Sequence, residues 1–183
     1  ASRYRLARGS STGGHAWSIS DSGCVDCDSS AFISEWTTLD PGTYPTGMTI
    51  SLPLQPTGAG FPTDYDFHVE WGDGTSADVD NDNWTAANDH TYATPGTYGV
   101  VITGTIKGWA VNGAGAATLQ LTGVCQWGSL ELPDELSDPG TGTSWYTGQF
   151  KGCPNFNSSA GDSPTIGNSL ESCFEGCTSM TYG

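Results

Sequence analysis

Positive charge is nearly missing from this sequence. Five Lys and Arg face twenty Asp and Glu, for a formal net charge of −15 over 183 residues. Three of the five (Arg3, Arg5 and Arg8) fall in the first eight positions, leaving Lys107 and Lys151 as the only cations of the body. A body this acidic repels phosphate backbones and anionic membranes, which argues against nucleic acid and against an anionic bilayer as partners. No apolar run approaches bilayer length, so no membrane insertion is expected. Catalytic signatures are also lacking. The three histidines, His15, His68 and His90, have no nucleophile at a recognisable spacing. There is no phosphate loop and no His-Glu-x-x-His helix. Paired carboxylates carry no signal in so acidic a chain. Nothing points to an enzyme. Helix-length apolar periods are scarce, while 26 glycines and 10 prolines are present. That combination predicts an all-β, loop-rich protein, long enough to bury a sizeable core.

What the sequence does contain is concentrated in residues 65–106. Tyr65, Phe67, Val69 and Trp71 recur at every second position, with Asp64, Asp66, His68 and Glu70 between them. Period-two alternation puts the first set on a buried face and the second on a wet one. A sharp turn, Gly72-Asp73-Gly74-Thr75, follows. Downstream come His90-Thr91-Tyr92, the turn Pro95-Gly96-Thr97-Tyr98, and a second β-rich run over residues 99–106. The expectation is two antiparallel strands joined by a long acidic connection.

These linked motifs, Val69-Glu70-Trp71-Gly72-Asp73-Gly74, then His90-Thr91-Tyr92, then Pro95-Gly96-Thr97-Tyr98, resemble the signature of PKD-type domains. The resemblance covers about a quarter of the chain. It implies an Ig-like β-sandwich with an extracellular binding or spacer role, and it implies no catalysis.

The acidic connection, residues 77–89, carries Asp78, Asp80 and Asp82 at alternate positions, then Asn83, with Asp89 at the twelfth place. Those offsets mimic a calcium loop, where carboxylates converge on a hard cation. Asn83 stands where a Gly is usual, Asp89 is shorter than the usual Glu, and no helices flank the stretch. The other reading is a solvated acidic loop between strands. Calcium at Asp78, Asp80, Asp82 and Asp89 is thus one expectation, and no other cofactor is expected.

Upstream, residues 32–36 open a first strand. Met48, Ile50, Leu52 and Leu54 alternate with Thr49, Ser51, Pro53 and Gln55 to form another, placed at an edge by Pro53. Residues 1–30 are rich in Ser and Gly and read as a flexible arm. The arginines of that arm are candidates to dock on an acidic neighbour, including another copy of this protein, or simply to belong to a frayed terminus. Trp71 and Trp109 read as core, the latter capping the sandwich after its last strand.

Beyond residue 113 the texture changes. Phe150-Lys151-Gly152-Cys153-Pro154-Asn155-Phe156 returns as Phe174-Glu175-Gly176-Cys177-Thr178-Ser179-Met180, 24 positions later. A period in the twenties with Cys at a fixed place marks a leucine-rich-type array. The pattern Phe-x-Gly-Cys-x-x-apolar resembles BspA-type surface repeats. A PKD-like unit followed by Trp127-Gly128-Ser129-Leu130 and such repeats resembles microbial surface and marine phage structural proteins. Stacked coils would set Cys153 and Cys177 one strand spacing apart, about 4.8 Å, within disulfide range or as two buried thiols.

The six cysteines, Cys24, Cys27, Cys125, Cys153, Cys173 and Cys177, are all disulfide candidates, and their pairing is open among fifteen arrangements. Cys24-Val25-Asp26-Cys27 lacks the second Cys-x-x-Cys of a zinc site and the setting of a redox motif.

The organisation expected is an arm over 1–30, a PKD-like sandwich over 31–112 and the start of a leucine-rich-type β-solenoid over 113–183. The expected role is a structural or adhesive subunit on a virion or cell surface, acting through contacts with copies of itself or neighbouring subunits. The alternative is a carbohydrate- or host-surface-binding module using Trp84 and Trp145, and a third reading makes the chain the accessory part of a larger secreted hydrolase.

Overall fold

The structure, a computed structural model, describes the backbone of residues 5–9 and 16–20, and residues 28–56, 63–111, 115–132, 148–166 and 172–180. In chain order the strands are β1 (Arg5–Gly9), β2 (Ala16–Ser20), β3 (Phe32–Thr37), β4 (Thr49–Ser51), β5 (Asp64–Glu70) and β6 (Ser76–Asp80). The short helix α1 (Trp84–Ala87) precedes β7 (Asp89–Thr91) and β8 (Thr97–Lys107). A second short helix, α2 (Ala117–Gln120), leads to β9 (Leu121–Gln126), β10 (Leu130–Leu132), β11 (Asn157–Ser158) and β12 (Thr165–Ile166). The protein is all-β.

Strand β8 is the hub. Its residues Val101 and Ile102 pair with Ile33 and Phe32 of β3 on one edge, and with Glu70 and Val69 of β5 on the other, both antiparallel. Where β3 ends, the same edge of β8 is taken up by β10, now parallel, through Ile106↔Leu130 and Lys107↔Glu131. β9 extends the sheet beyond β3, and β6 extends it beyond β5. The pair β4–β7 forms a separate small sheet that contributes Ile50 and the flanking Leu52 and Tyr92 to the same core. Alternation worked as expected in β5: Tyr65, Phe67, Val69 and Trp71 are buried. Burying four such side chains contributes on the order of 1.5–3 kcal/mol each relative to exposure.

The acidic connection is more structured than the sequence suggested. Residues 76–80 form β6 and lie against β5 in register, with Asp66↔Asp80 and His68↔Asp78. The physical reason is the free edge of β5, whose backbone N–H and C=O groups need partners. Ala77 and Val79 turn inward while Asp78 and Asp80 turn out. The N-terminal residues also differ from a featureless arm: β1 and β2 form an antiparallel hairpin, with Leu6↔Ile19 and Arg8↔Trp17, paired with no other described strand.

The two copies of the heptapeptide stack with like residues touching. Phe150 and Phe174 rings lie 5.5 Å apart and nearly parallel. Lys151 Nζ reaches the Glu175 carboxylate at 2.9 Å. Gly152 N–H donates to the Glu175 carbonyl at 2.7 Å. Gly176 passes so close that a Cβ there would lie 3.4 Å from the Gly152 Cα. Short parallel strands run alongside: β10 beside β12, and β11 beside β9.

One apolar cluster runs from Phe32 to Cys173 and crosses the expected border at 112/113 without a break. Its spine is aromatic. Phe32 and Trp36 meet Trp109 edge-on at 5.1 and 6.1 Å, and Trp109 meets Phe150 at 6.2 Å. Phe150 in turn touches Trp127, Phe156 and Phe174. Trp109 is therefore a joint between two halves, not a cap on one.

Candidate functional site

The motif residues of the central strand close on one another. Gly72 has φ +84, and a Cβ there would lie 2.6 Å from the Gly99 carbonyl oxygen, so conformation and space both demand glycine. The turn then delivers Asp73 to His90, whose Nε2 donates to the Asp73 carboxylate at 2.8 Å. Thr75 donates to the same carboxylate from its N–H and its hydroxyl, at 3.0 and 2.6 Å. The side chains of Asp73 and His90 keep 24% and 16% of their surface exposed, so water screens the contact only partly. Burial pushes the Asp73 carboxyl up. The bonds from Thr75 and His90 and the imidazole charge outweigh it and hold the group below its ordinary range.

The His90 ring is clamped. It stacks on Trp71 at 4.9 Å and meets the edge of Tyr92 at 4.5 Å. Tyr92 stacks on Tyr98 at 3.7 Å and donates its hydroxyl to the Trp71 carbonyl at 2.7 Å. Burial, reinforced by the charges of Asp73 and Tyr98, raises the Tyr92 phenol far above its ordinary value, so it stays a donor. A histidine and a carboxylate beside a hydroxyl invite a catalytic reading, but the Thr75 proton and the His90 Nε2 both go to Asp73. The arrangement ties β5, β7 and β8 together.

The outer face of β5 and β6 is the acidic surface. His68 Nδ1 lies 2.6 Å from Asp78, with 43% and 89% of the two side chains exposed. Asp66 and Asp80 face each other directly across the pair, a like-charge juxtaposition that costs stability. With Phe67, Val79 and Thr103 these residues line a shallow hollow of ≈ 310 Å³. The four residues read as a calcium loop are not brought together in it. Asp78 and Asp80 sit two apart on a strand, roughly 6.6 Å of rise. Asp80 Oδ1 is occupied by the N–H groups of Asp82 and Asn83, both at 2.9 Å. Asp89 belongs to β7, in the other sheet. Among the described residues no three His, Cys, Asp or Glu side chains are grouped to hold a metal ion.

Three of the six cysteines meet in the stacked repeats. Cys153 and Cys173 are fully buried and Cys177 half-buried. Cys177 Sγ donates to the Phe150 carbonyl at 3.1 Å. Burial pushes the Cys153 and Cys173 thiols up to about 12, and raises Cys177 as well. Cys125 lies apart, packed against Ala31, Ile33 and Val101. All four are free thiols in the structure. Cys24 and Cys27 lie outside the described residues.

The contact candidates divide in the same way. Trp84 is half-buried against the core, its ring 6.2 Å from Tyr65. Trp145 and Arg3 lie outside the described residues, and Arg5 and Arg8 take register positions opposite Ser20 and Trp17. Two anchors went unnoticed in the sequence. Asp162 accepts the N–H groups of Trp127 and Gly128 at 3.0 and 2.9 Å, tying the turn before β10 to the segment before β12. Gln120 donates to the Gly47 and Thr49 carbonyls at 3.0 and 2.9 Å. Two acidic partners were legible as spacing: Lys107–Glu131 and Lys151–Glu175 are both 24 positions apart, and both are ion pairs.

No protein-family model matches the chain, and comparison with curated proteins and with solved structures returns no match.

Proposed function

We propose that this chain is a non-enzymatic structural or adhesive subunit of a surface assembly, a virion or an extracellular appendage, working through protein–protein contacts. In this reading residues 31–112 form a PKD-like, Ig-type sandwich, and the later residues begin a leucine-rich-type β-solenoid. The observation that carries it is the continuous aromatic spine from Phe32 through Trp109 to Phe174, which makes strands and repeats one stiff body. A spacer or building block needs that stiffness, whereas catalysis needs a free nucleophile and a free base.

The contact surfaces follow from charge and from edges. Strand β6 pairs only with β5 among the described strands, and it displays Asp78 and Asp80. Open edges are docking templates that charge keeps selective. The arginine-bearing β1–β2 hairpin is the complementary element, and another copy of the chain is the partner.

Sedimentation and electron microscopy of the purified chain, at low and high salt, test this. Ordered assembly that weakens with salt, and weakens when Arg3, Arg5 and Arg8 are replaced by Ser, supports the reading. A monomer at all concentrations that instead retains glycans on an array, with the signal lost in Trp84→Ala or Trp145→Ala, would replace it with the glycan-binding module.

A further inference from the structure

We propose that Cys153 and Cys177 form a disulfide staple between successive copies of the repeat, made by exchange with a small disulfide oxidant that enters at Cys177. The argument is one of register. The residue pairs flanking the two cysteines in the repeat already touch. Lys151 reaches Glu175, Gly152 abuts Gly176, and Thr178 Oγ1 donates to the Pro154 carbonyl at 3.3 Å. Cys153 and Cys177 stand between these contacts at the same offset. A backbone approach that would leave a glycine Cβ 3.4 Å from the opposing Cα brings neighbouring Cα atoms into the roughly 4.4–6.8 Å window of a disulfide. Cys177 Sγ already points back over the first copy, onto the Phe150 carbonyl.

The other thiols are worse partners. Cys173 shares a turn with Cys177, and its own carbonyl is held by the Phe150 N–H at 2.9 Å. Cys125 sits in a separate cluster with Ala31, Ile33 and Val101. Exposure orders the chemistry. Cys177 is half-buried and Cys153 fully buried, so the oxidant meets Cys177 first.

The steps balance with oxidised glutathione as oxidant. The Cys177 thiolate attacks one glutathione sulfur, forming a mixed disulfide and expelling the first glutathione thiolate. The Cys153 thiolate then attacks the Cys177 sulfur and expels the second. Two protein S–H bonds are lost, one S–S bond forms, and two electrons and two protons pass to the oxidant as two reduced glutathiones. Because burial disfavours all three thiolates, closure is slow at neutral pH and accelerates as pH rises.

The full chain is incubated with oxidised glutathione at mildly alkaline pH, quenched with N-ethylmaleimide and mapped by mass spectrometry without reduction. The expected product links Cys153 to Cys177, with Cys125 and Cys173 alkylated. The same link persists in Cys173→Ser. It raises Tm by about 5–10 °C, reversed by dithiothreitol, since a loop of this length is constrained in the unfolded chain. Linkage of Cys177 to any other cysteine, Cys177 arrested as the glutathione mixed disulfide, or no oxidation at either residue overturns the proposal. It rests on the stacking alone, so it stands or falls independently of surface assembly.

Discussion

Asp73 and His90, seventeen positions apart, hold the turn after β5 onto the β4–β7 sheet through a shielded 2.8 Å hydrogen bond. Asp73→Ala leaves His90 and both Thr75 donors without their acceptor, and it should cost about 1–3 kcal/mol. His90→Ala removes a stacked ring as well and should cost no less. Asp73→Asn, which keeps an oxygen acceptor but not the charge, should fall between wild type and Ala. Chemical denaturation of the three variants gives the order.

Acid should act through the same carboxylate. Its folded pKa lies below its unfolded one, so its contribution is complete above about pH 4 and is lost as pH falls through the lower, folded value. Wild type should therefore lose more stability than Asp73→Asn between mildly acidic and strongly acidic pH. Equal losses in the two proteins would show that the pair contributes nothing through charge.

Trp109 joins the sheet to the repeats, so its removal should be felt on both sides at once. Trp109→Ala in a fully buried site should cost about 3–5 kcal/mol. Hydrogen exchange should quicken around Phe32–Thr37 and around residues 150–156 together. Loss of protection on one side only would mean that the two halves unfold independently.

Why some of this was legible and some not is a matter of which force set the pattern. Burial of one face wrote period two into β5, and the stacking of like on like wrote the 24-residue offset into Phe150/Phe174 and Lys151/Glu175. Both are local or repetitive, so residue order alone reveals them. Strand β6 was obscured because its outward carboxylates dominate the reading, although Ala77 and Val79 carry the inward alternation. The joining role of Trp109 and the bracing by Asp162 and Gln120 depend on where distant segments meet. A single aromatic, carboxylate or amide carries no local mark of that.

The stack makes its own demand on the backbone. Gly176 adopts φ +80 beside Gly152, a conformation that L side chains reach only at a cost of about 1–2 kcal/mol. Gly176→Ala should therefore lower stability by that amount, with the Cβ itself finding ordinary contact. Because Lys151–Glu175 is an exposed pair, Lys151→Ala should have a smaller effect that shrinks further in high salt. A larger loss from Lys151→Ala than from Gly176→Ala would mean that charge, not backbone fit, orders the repeats.

The acidic stretch offers the sharpest test of sequence spacing against geometry. As a calcium loop, Asp78, Asp80, Asp82 and Asp89 would point at one centre, and any of them replaced by Asn would weaken the ion's effect on Tm. As built, Asp78 faces His68, Asp80 caps the turn through the Asp82 and Asn83 N–H groups, and Asp89 lies in a different sheet. Asp80→Ala should then cost about 1 kcal/mol from the lost turn bonds, while Asp80→Asn, which retains an acceptor, should cost less. Asp89→Asn should be near neutral. All of these differences should be the same with calcium or with a chelator, as read by thermal melts. A calcium-dependent rise in wild-type Tm that disappears in both Asp80→Asn and Asp89→Asn would show that the turn rearranges around the ion, because only convergence on one centre couples those two distant carboxylates.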